Sequence, residues 1–90
     1  MLKFVKIGQQ NPPKRRVDKR KDDFNEIYDE FITQKAQEQS SRCSQCGVPF
    51  CQVHCPLSNN IPDWLKLTAE GRLKEAYELS QSTNNMPEVC

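Results

Sequence analysis

The chain has little of what a self-supporting or nucleotide-binding domain needs. Only 3 of its 90 residues are glycine, and neither a G-x-G-x-x-G nor a Walker loop occurs, so a self-contained nucleotide-binding domain is excluded. No apolar run approaches the ~18 residues that a membrane-spanning helix requires. Hydrophobic residues make up 36% of the chain, too little for a core that holds the fold unaided or for a large catalytic core. The sequence therefore predicts a covalent or metal staple.

Signals for export are missing as well. Residues 1–7 contain no continuous apolar segment and no A-x-A-like cleavage site, which predicts a cytoplasmic protein with no membrane partner. In a reducing compartment, clustered thiols bind metal more often than they form disulfides. The chain has 5 cysteines, and an odd number also argues against a closed disulfide framework.

The charge is distributed unevenly along the chain. Residues 1–21 carry eight Lys or Arg and one Asp, whereas residues 22–90 carry five basic and eleven acidic side chains. We therefore divide the chain into a basic N-terminal arm (1–21) and an acidic body (22–90). The arm is either a docking segment for an acidic protein or a solvated tail. Nucleic acid is not expected as a partner, because residues 14–21 contain no aromatic side chain to stack on bases.

Residues 23–39 have the pattern of an amphipathic helix. Phe24, Ile27 and Phe31 recur at helical spacing, which predicts an apolar stripe that packs against a neighbouring layer. Asp23 followed by Glu26 is typical of a capping box at the start of a helix. The sequence thus predicts that this helix begins near residue 23.

Residues 61–80 predict two further short helices. Pro62 suits a first helical position, and Gly71 is the expected stop between the two helices. Residues 42–57 contain one glycine and two prolines and do not form a long regular element. The predicted fold is mainly α, a small helical domain with an extended N-terminal arm.

The strongest signal is a group of four cysteines within 13 residues. Cys43, Cys46, Cys51 and Cys55 have the spacing C-x2-C-x4-C-x3-C-P. This resembles the bacterial ferredoxin-type run, in which three cysteines hold one iron–sulfur cluster and the fourth ligates a second. Four residues separate Cys46 from Cys51 in this chain, whereas two residues separate the second and third cysteines of the bacterial run. Apolar side chains in the loop are expected to line the cluster and exclude water: Val48, Phe50 and Val53.

Zinc is the main alternative to an iron–sulfur cluster. Four thiolates, or three thiolates with the imidazole of His54, suit tetrahedral Zn²⁺. A zinc-knuckle-like site would make the chain a nucleic-acid or protein-interaction module. Dithiol redox chemistry is less favoured, because the pattern lacks a βαβ context. The spacing favours iron–sulfur over zinc.

The number of cysteines bears on the size of the protein. Two cubane clusters need eight ligands, which five cysteines cannot supply. We therefore expect the chain to be part of a longer protein with further ligands downstream. Cys90 is a candidate ligand of that kind.

Three segments carry a resemblance to a known family. Residues 42–51 (RCSQCGVPFC), 55–64 (CPLSNNIPDW) and 83–90 (TNNMPEVC) resemble the N-terminal iron–sulfur domain of the small (beta) subunit of NADPH-dependent glutamate synthase, which is related to the N-terminal domain of dihydropyrimidine dehydrogenase. The resemblance implies an α-helical domain that holds two [4Fe-4S] clusters. It implies that Cys43, Cys46 and Cys51 bind one cluster and Cys55 the other. Cys90 matches the first cysteine of a downstream motif.

The resemblance also implies a function. In the family, hydride passes from NADPH to FAD, and electrons cross the clusters to the large (alpha) subunit, where 2-oxoglutarate and glutamine yield glutamate. The FAD and NADP domains lie outside this sequence, and no catalytic residue is expected within it. Trp64 and Leu65 are expected to pack beneath the cysteine loop, and Arg15 and Arg16 to dock the large subunit.

Overall fold

The computed structural model describes residues 2–87, which form short helices and connecting loops. A 3-10 turn spans Lys3–Val5. The α-helices that follow are α1 (Val17–Arg20), α2 (Thr33–Ser40), α3 (Phe50–Val53), α4 (Ile61–Ala69) and α5 (Leu73–Ser80). The described part of the chain contains no strand, only an isolated antiparallel bridge between Lys14 and Tyr28. The prediction of a mainly α fold is confirmed.

Helices α4 and α5 form an antiparallel hairpin, and the turn between them contains Gly71, the glycine predicted to stop α4. Gly71 has a φ of 81°. Its N–H donates to the carbonyl of Thr68 at 3.1 Å, and the N–H of Arg72 donates to the carbonyl of Leu67 at 2.9 Å. This pair of hydrogen bonds is the Schellman motif, which satisfies the last carbonyls of a helix through a residue in the left-handed conformation. Pro62 lies in the first turn of α4, as predicted.

Helix α4 is the centre of the fold, because it contacts α2, α3 and α5. Little apolar surface is buried around it. In residues 2–87 the buried apolar residues are Ala76, at 5% exposure, and Pro62. Ser41 and Asn59, both polar, are equally buried. A core this small agrees with the expectation that the fold needs additional support.

The predicted helix over 23–39 is wrong in its first half, since α2 begins only at Thr33. Residues 23–32 instead lie against the N-terminal arm. The guanidinium of Arg15 donates to both carboxylate oxygens of Asp23, at 3.0 and 2.7 Å. The backbone N–H of Arg15 donates to the carbonyl of Ile27, and that of Asp29 to Pro13, both at 2.7 Å. These backbone groups are therefore not available for a helical ladder.

Most of the predicted apolar stripe is exposed for the same reason, and only Phe31 is half-buried. Phe24 is fully exposed, and Ile27, Tyr28 and Ile32 are also exposed. The predicted capping box does not form either. The Glu26 carboxylate accepts hydrogen bonds from the N–H groups of the next two residues, a local turn that competes with helix.

No helix within residues 2–87 has the length and apolar content needed to cross a membrane.

We expect Gly71→Ala to destabilise the α4–α5 hairpin by about 1 kcal/mol, because a Cβ disfavours the left-handed conformation. A Cβ at this position would also lie 2.6 Å from Nε2 of Gln37. Gly8→Ala is the matched control, since a Cβ there meets nothing within 4 Å. Chemical denaturation followed by circular dichroism measures both. Equal stability of the two variants would contradict this role of Gly71.

The Arg15–Asp23 pair predicts a pH dependence. Hydrogen bonds from the Arg15 guanidinium and the Asn25 backbone lower the pKa of Asp23 from its ordinary 3.8 to about 2. Since the pKa is lower in the folded chain, the stabilisation is complete above about pH 4 and is lost as the pH falls through about 2. An NMR titration of the Asp23 carboxyl carbon should give a midpoint near 2. Arg15→Gln should move the midpoint towards 3.8, and Arg16→Gln should leave it in place. A wild-type midpoint near 3.8 would show that the pair does not form in solution.

Candidate metal centre

The four clustered cysteines lie on one loop, residues 43–55, which connects α2 to α4 and contains the single turn of α3. All four are free thiols. Cys43 and Cys55, at the ends of the loop, are partly buried, and Cys46 and Cys51 are exposed. Between residues 2 and 87, no three His, Cys, Asp or Glu side chains lie close enough to hold a metal ion. The thiols therefore share a loop without forming a preassembled site.

Cys55 is surrounded by backbone donors. Hydrogen bonding by the backbone N–H groups of Asn59, Leu57 and Ser58 lowers the pKa of the Cys55 thiol. Ser58 has a φ of 53°, and its N–H also lies 3.0 Å from the carbonyl of Cys55. This turn favours a thiolate at Cys55, the form that ligates metal.

Cys43 is held by the side chain of Gln45. The Nε2 of Gln45 donates to the sulfur of Cys43 at 3.3 Å and to the carbonyl of Pro62 at 2.7 Å. Gln45 has a φ of 51°, a left-handed conformation that few non-glycine residues adopt. This amide ties the start of the cysteine loop to the first turn of α4.

Residues 2–10, which we call the N-terminal strap, bind the other side of Cys43. The N–H of Leu2 donates to the carbonyl of Cys43 at 2.9 Å, and that of Lys3 to the carbonyl of Ser41 at 3.1 Å. The guanidinium of Arg42 donates to the carbonyl of Ile7 at 2.9 Å. The first part of the arm is thus attached to the site rather than being a solvated tail.

Trp64 and Leu65 of α4 lie beside the cysteine loop, as expected from the sequence. Leu65 lines a concavity together with Cys43 and Phe4. Trp64 lines another with Cys55 and Asn59. The two helical residues therefore contribute to the surroundings of both ends of the loop.

Other residues of the loop are placed differently from the expectation. Val48, Phe50 and Val53 are more than 60% exposed, so they do not enclose a site among residues 2–87. His54 is exposed and stacks on the ring of Phe50, with the ring centroids 6.1 Å apart. Cys90 lies outside the described residues.

Sequence reasoning missed two polar residues of the site, Gln45 and Asn59. Asn59 is 4% exposed and contacts both α4 and the end of α5. A single sequence contains no signal that separates Asn59 from its neighbour Asn60, which is less buried. Asn59 is buried because its side chain is hydrogen-bonded to Trp64 of α4 and to Ser80 at the end of α5, and these contacts depend on how the two helices pack.

The donors of this site suit an iron–sulfur cluster. Four free thiols supply the ligands that such clusters take, and an N–H donor at the Cys43 sulfur is of the kind that tunes reduction potential.

Comparison with known proteins supports the same assignment. The family described as dihydropyrimidine dehydrogenase domain II, 4Fe-4S cluster, matches residues 20–90. Over all 90 residues the chain is 67% identical to the glutamate synthase [NADPH] small chain of Azospirillum brasilense and 48% identical to that of Escherichia coli K12. It is 43% identical over 86 residues, 94% of the chain, to the glutamate synthase [NADPH] small chain of Mycobacterium tuberculosis H37Rv.

The chain spans about a fifth of the length of these relatives, 19% of the first two and 18% of the third. The cysteine loop lies inside the region that the family matches, and an iron–sulfur domain supports a role in electron transfer. The chain therefore belongs to the family of 4Fe-4S cluster domains typified by domain II of dihydropyrimidine dehydrogenase.

Proposed function

We propose that this chain is the iron–sulfur electron-transfer domain of a glutamate synthase [NADPH] small chain. The observation that carries the proposal is the set of four free thiols on loop 43–55, in a chain that matches such small chains over its full length. In this proposal Cys43, Cys46 and Cys51 ligate one [4Fe-4S] cluster. Cys55 ligates a second, and Cys90 is a further candidate ligand.

The chain's own residues hold the sulfurs and control their charge. A [4Fe-4S] cluster accepts and releases one electron at a time. Gln45 donates to the sulfur of Cys43, and backbone hydrogen bonding by residues 57–59 lowers the pKa of the Cys55 thiol, so both ends of the loop favour negative charge on sulfur. No residue of the chain acts as an acid, base or nucleophile in this role.

The remaining cofactors and the reaction belong to the rest of the enzyme. This chain has no dinucleotide-binding motif, so NADPH and FAD would bind elsewhere in the small chain. Electrons would pass through the clusters to the large (alpha) subunit, which forms glutamate from 2-oxoglutarate and glutamine. A reducing compartment such as the cytoplasm would keep the four thiols from pairing.

The metal content of the full-length protein, purified without oxygen, tests the cluster assignment. We expect iron and acid-labile sulfide in equal amounts with little zinc, and Cys51→Ser and Cys55→Ser should each remove a different cluster signal in electron paramagnetic resonance. Ser44→Ala, a neighbour that supplies no thiol, is the control and should retain both signals. Zinc without sulfide would overturn the proposal in favour of a structural or nucleic-acid-binding zinc module.

The basic arm supplies a surface for docking the large subunit. The sequence predicted Arg15 and Arg16 as the docking residues, and the structure favours Arg16 and Lys19 instead. Arg15 is occupied by Asp23 inside the chain, so it is not a docking residue. Arg16 is 80% exposed and has only a long 3.4 Å contact with Asp18. Together with exposed Lys19, it offers free positive charge to an acidic partner surface.

Reversing the charge of both Arg16 and Lys19 to Glu should weaken binding to the large subunit about tenfold at low salt, as expected for two exposed ion pairs. The loss should shrink as salt is raised. Lys66→Glu with Lys74→Glu is the matched control, because these exposed lysines lie on α4 and α5. Isothermal titration calorimetry measures all three proteins. Equal losses in both double variants would show that net charge, and not the arm, determines binding.

A further inference from the structure

The side chain of Gln45 makes a direct hydrogen bond to a cysteine sulfur. Its Nε2 lies 3.3 Å from the Sγ of Cys43 and 2.7 Å from the carbonyl oxygen of Pro62. Both contacts are partly buried, which strengthens a hydrogen bond relative to one in water. An amide nitrogen carries two hydrogens, so one is available for each acceptor.

The carbonyl of Pro62 decides which end of the amide faces the sulfur. A carbonyl oxygen only accepts hydrogen bonds, so it pairs with the nitrogen of the Gln45 amide and not with its oxygen. The second hydrogen of the same nitrogen is then directed to the sulfur of Cys43. Pro62 lies in the first turn of α4, the helix that contacts α2, α3 and α5. The donor is therefore held by the centre of the fold as well as by the cysteine loop.

The backbone of Gln45 is consistent with a fixed side chain. Its φ of 51° lies in the left-handed region, which is unfavourable for a residue with a Cβ. Such a conformation persists where surrounding contacts hold it in place. The two hydrogen bonds of the Gln45 amide are contacts of this kind.

We propose that Gln45 is a positioning residue that directs an N–H group at the sulfur of Cys43 and thereby raises the reduction potential of the cluster that Cys43 ligates. The inference rests on the proposed function, because it requires a cluster at Cys43. Reduction adds one electron to the cluster, supplied in that function by NADPH through FAD, and breaks no bond. An N–H donor at a ligand sulfur stabilises the added negative charge, so its removal makes the reduced form less stable.

A potentiometric titration of the full-length protein under anaerobic conditions, followed by electron paramagnetic resonance, tests the proposal. Gln45→Met keeps the length of the side chain and removes its N–H groups. At the wild-type midpoint, the ratio of reduced to oxidised cluster should fall about threefold, as expected for one weak hydrogen bond, which for one electron is about 28 mV. Only the signal that Cys51→Ser removes should shift, because Cys43 and Cys51 share a cluster in the proposed function.

Further variants separate the hydrogen bond from a structural role. Gln45→Gly suits the left-handed φ and should lower the ratio as Gln45→Met does. Gln45→Lys returns N–H donors at the same position and should keep the ratio at or above its wild-type value. Placing the same charge on the exposed neighbour instead, in Gln45→Met with Ser44→Lys, should restore less of the ratio.

Gln52→Met is the matched control. Gln52 is also a partly buried glutamine of the cysteine loop, and its side chain donates to no sulfur within residues 2–87. The same substitution at this position should leave both potentials unchanged.

The outcomes separate the two levels of the argument. If Cys51→Ser retains both cluster signals, the ligand assignment fails. If Cys51→Ser removes one signal but Gln45→Met and Gln45→Gly keep the wild-type potential, the role of Gln45 is wrong. It is also wrong if both clusters shift equally, or if Gln45→Lys lowers the ratio as much as Gln45→Met. If neither Gln45→Met nor Gln45→Gly takes up the cluster, Gln45 anchors the loop and does not set the potential.

Discussion

The hydrogen bonds of one buried amide, Asn59, join the parts of this domain that apolar packing does not. They connect the turn after Cys55 to Trp64 of α4 and to the carbonyl of Ser80 at the end of α5. The α4–α5 hairpin buries few apolar side chains. The hydrogen bonds of Asn59 therefore contribute a larger share of its stability than they would in a domain with a larger core. The hairpin follows the end of the cysteine loop, and Gln45 links the start of the loop to Pro62 in the first turn of α4.

The cysteine loop is held at its two ends and is open between them. Gln45 and the N-terminal strap hold Cys43, and at the other end the N–H of Ser58 donates to the carbonyl of Cys55. Cys46 and Cys51, in the middle, are exposed. In small metal-binding domains, metal binding adds to the stability of the fold, and this domain has little apolar core of its own.

The N-terminal arm divides into segments with different roles. The strap at residues 2–10 contributes backbone donors and acceptors to the loop that carries Cys43. The next segment is closed onto residues 23–29 by the Arg15–Asp23 pair, whereas Arg16 and Lys19 face solvent. In this run of like charges, Arg15 is therefore used in an ion pair within the chain, whereas Arg16 and Lys19 form an exposed basic surface. Only the free charges are available for a partner.

The sequence alone determined the helical class, the stop at Gly71 and the four thiols, because each depends on a local property: spacing, a glycine's left-handed φ, or ligand chemistry. It did not determine the path of residues 23–32, since the helical stripe there was overridden by pairing with Arg15 and the arm. Nor could it distinguish Asn59 from Asn60 or Arg15 from Arg16. Burial and ion pairing depend on which distant segments meet, and only the tertiary structure decides that.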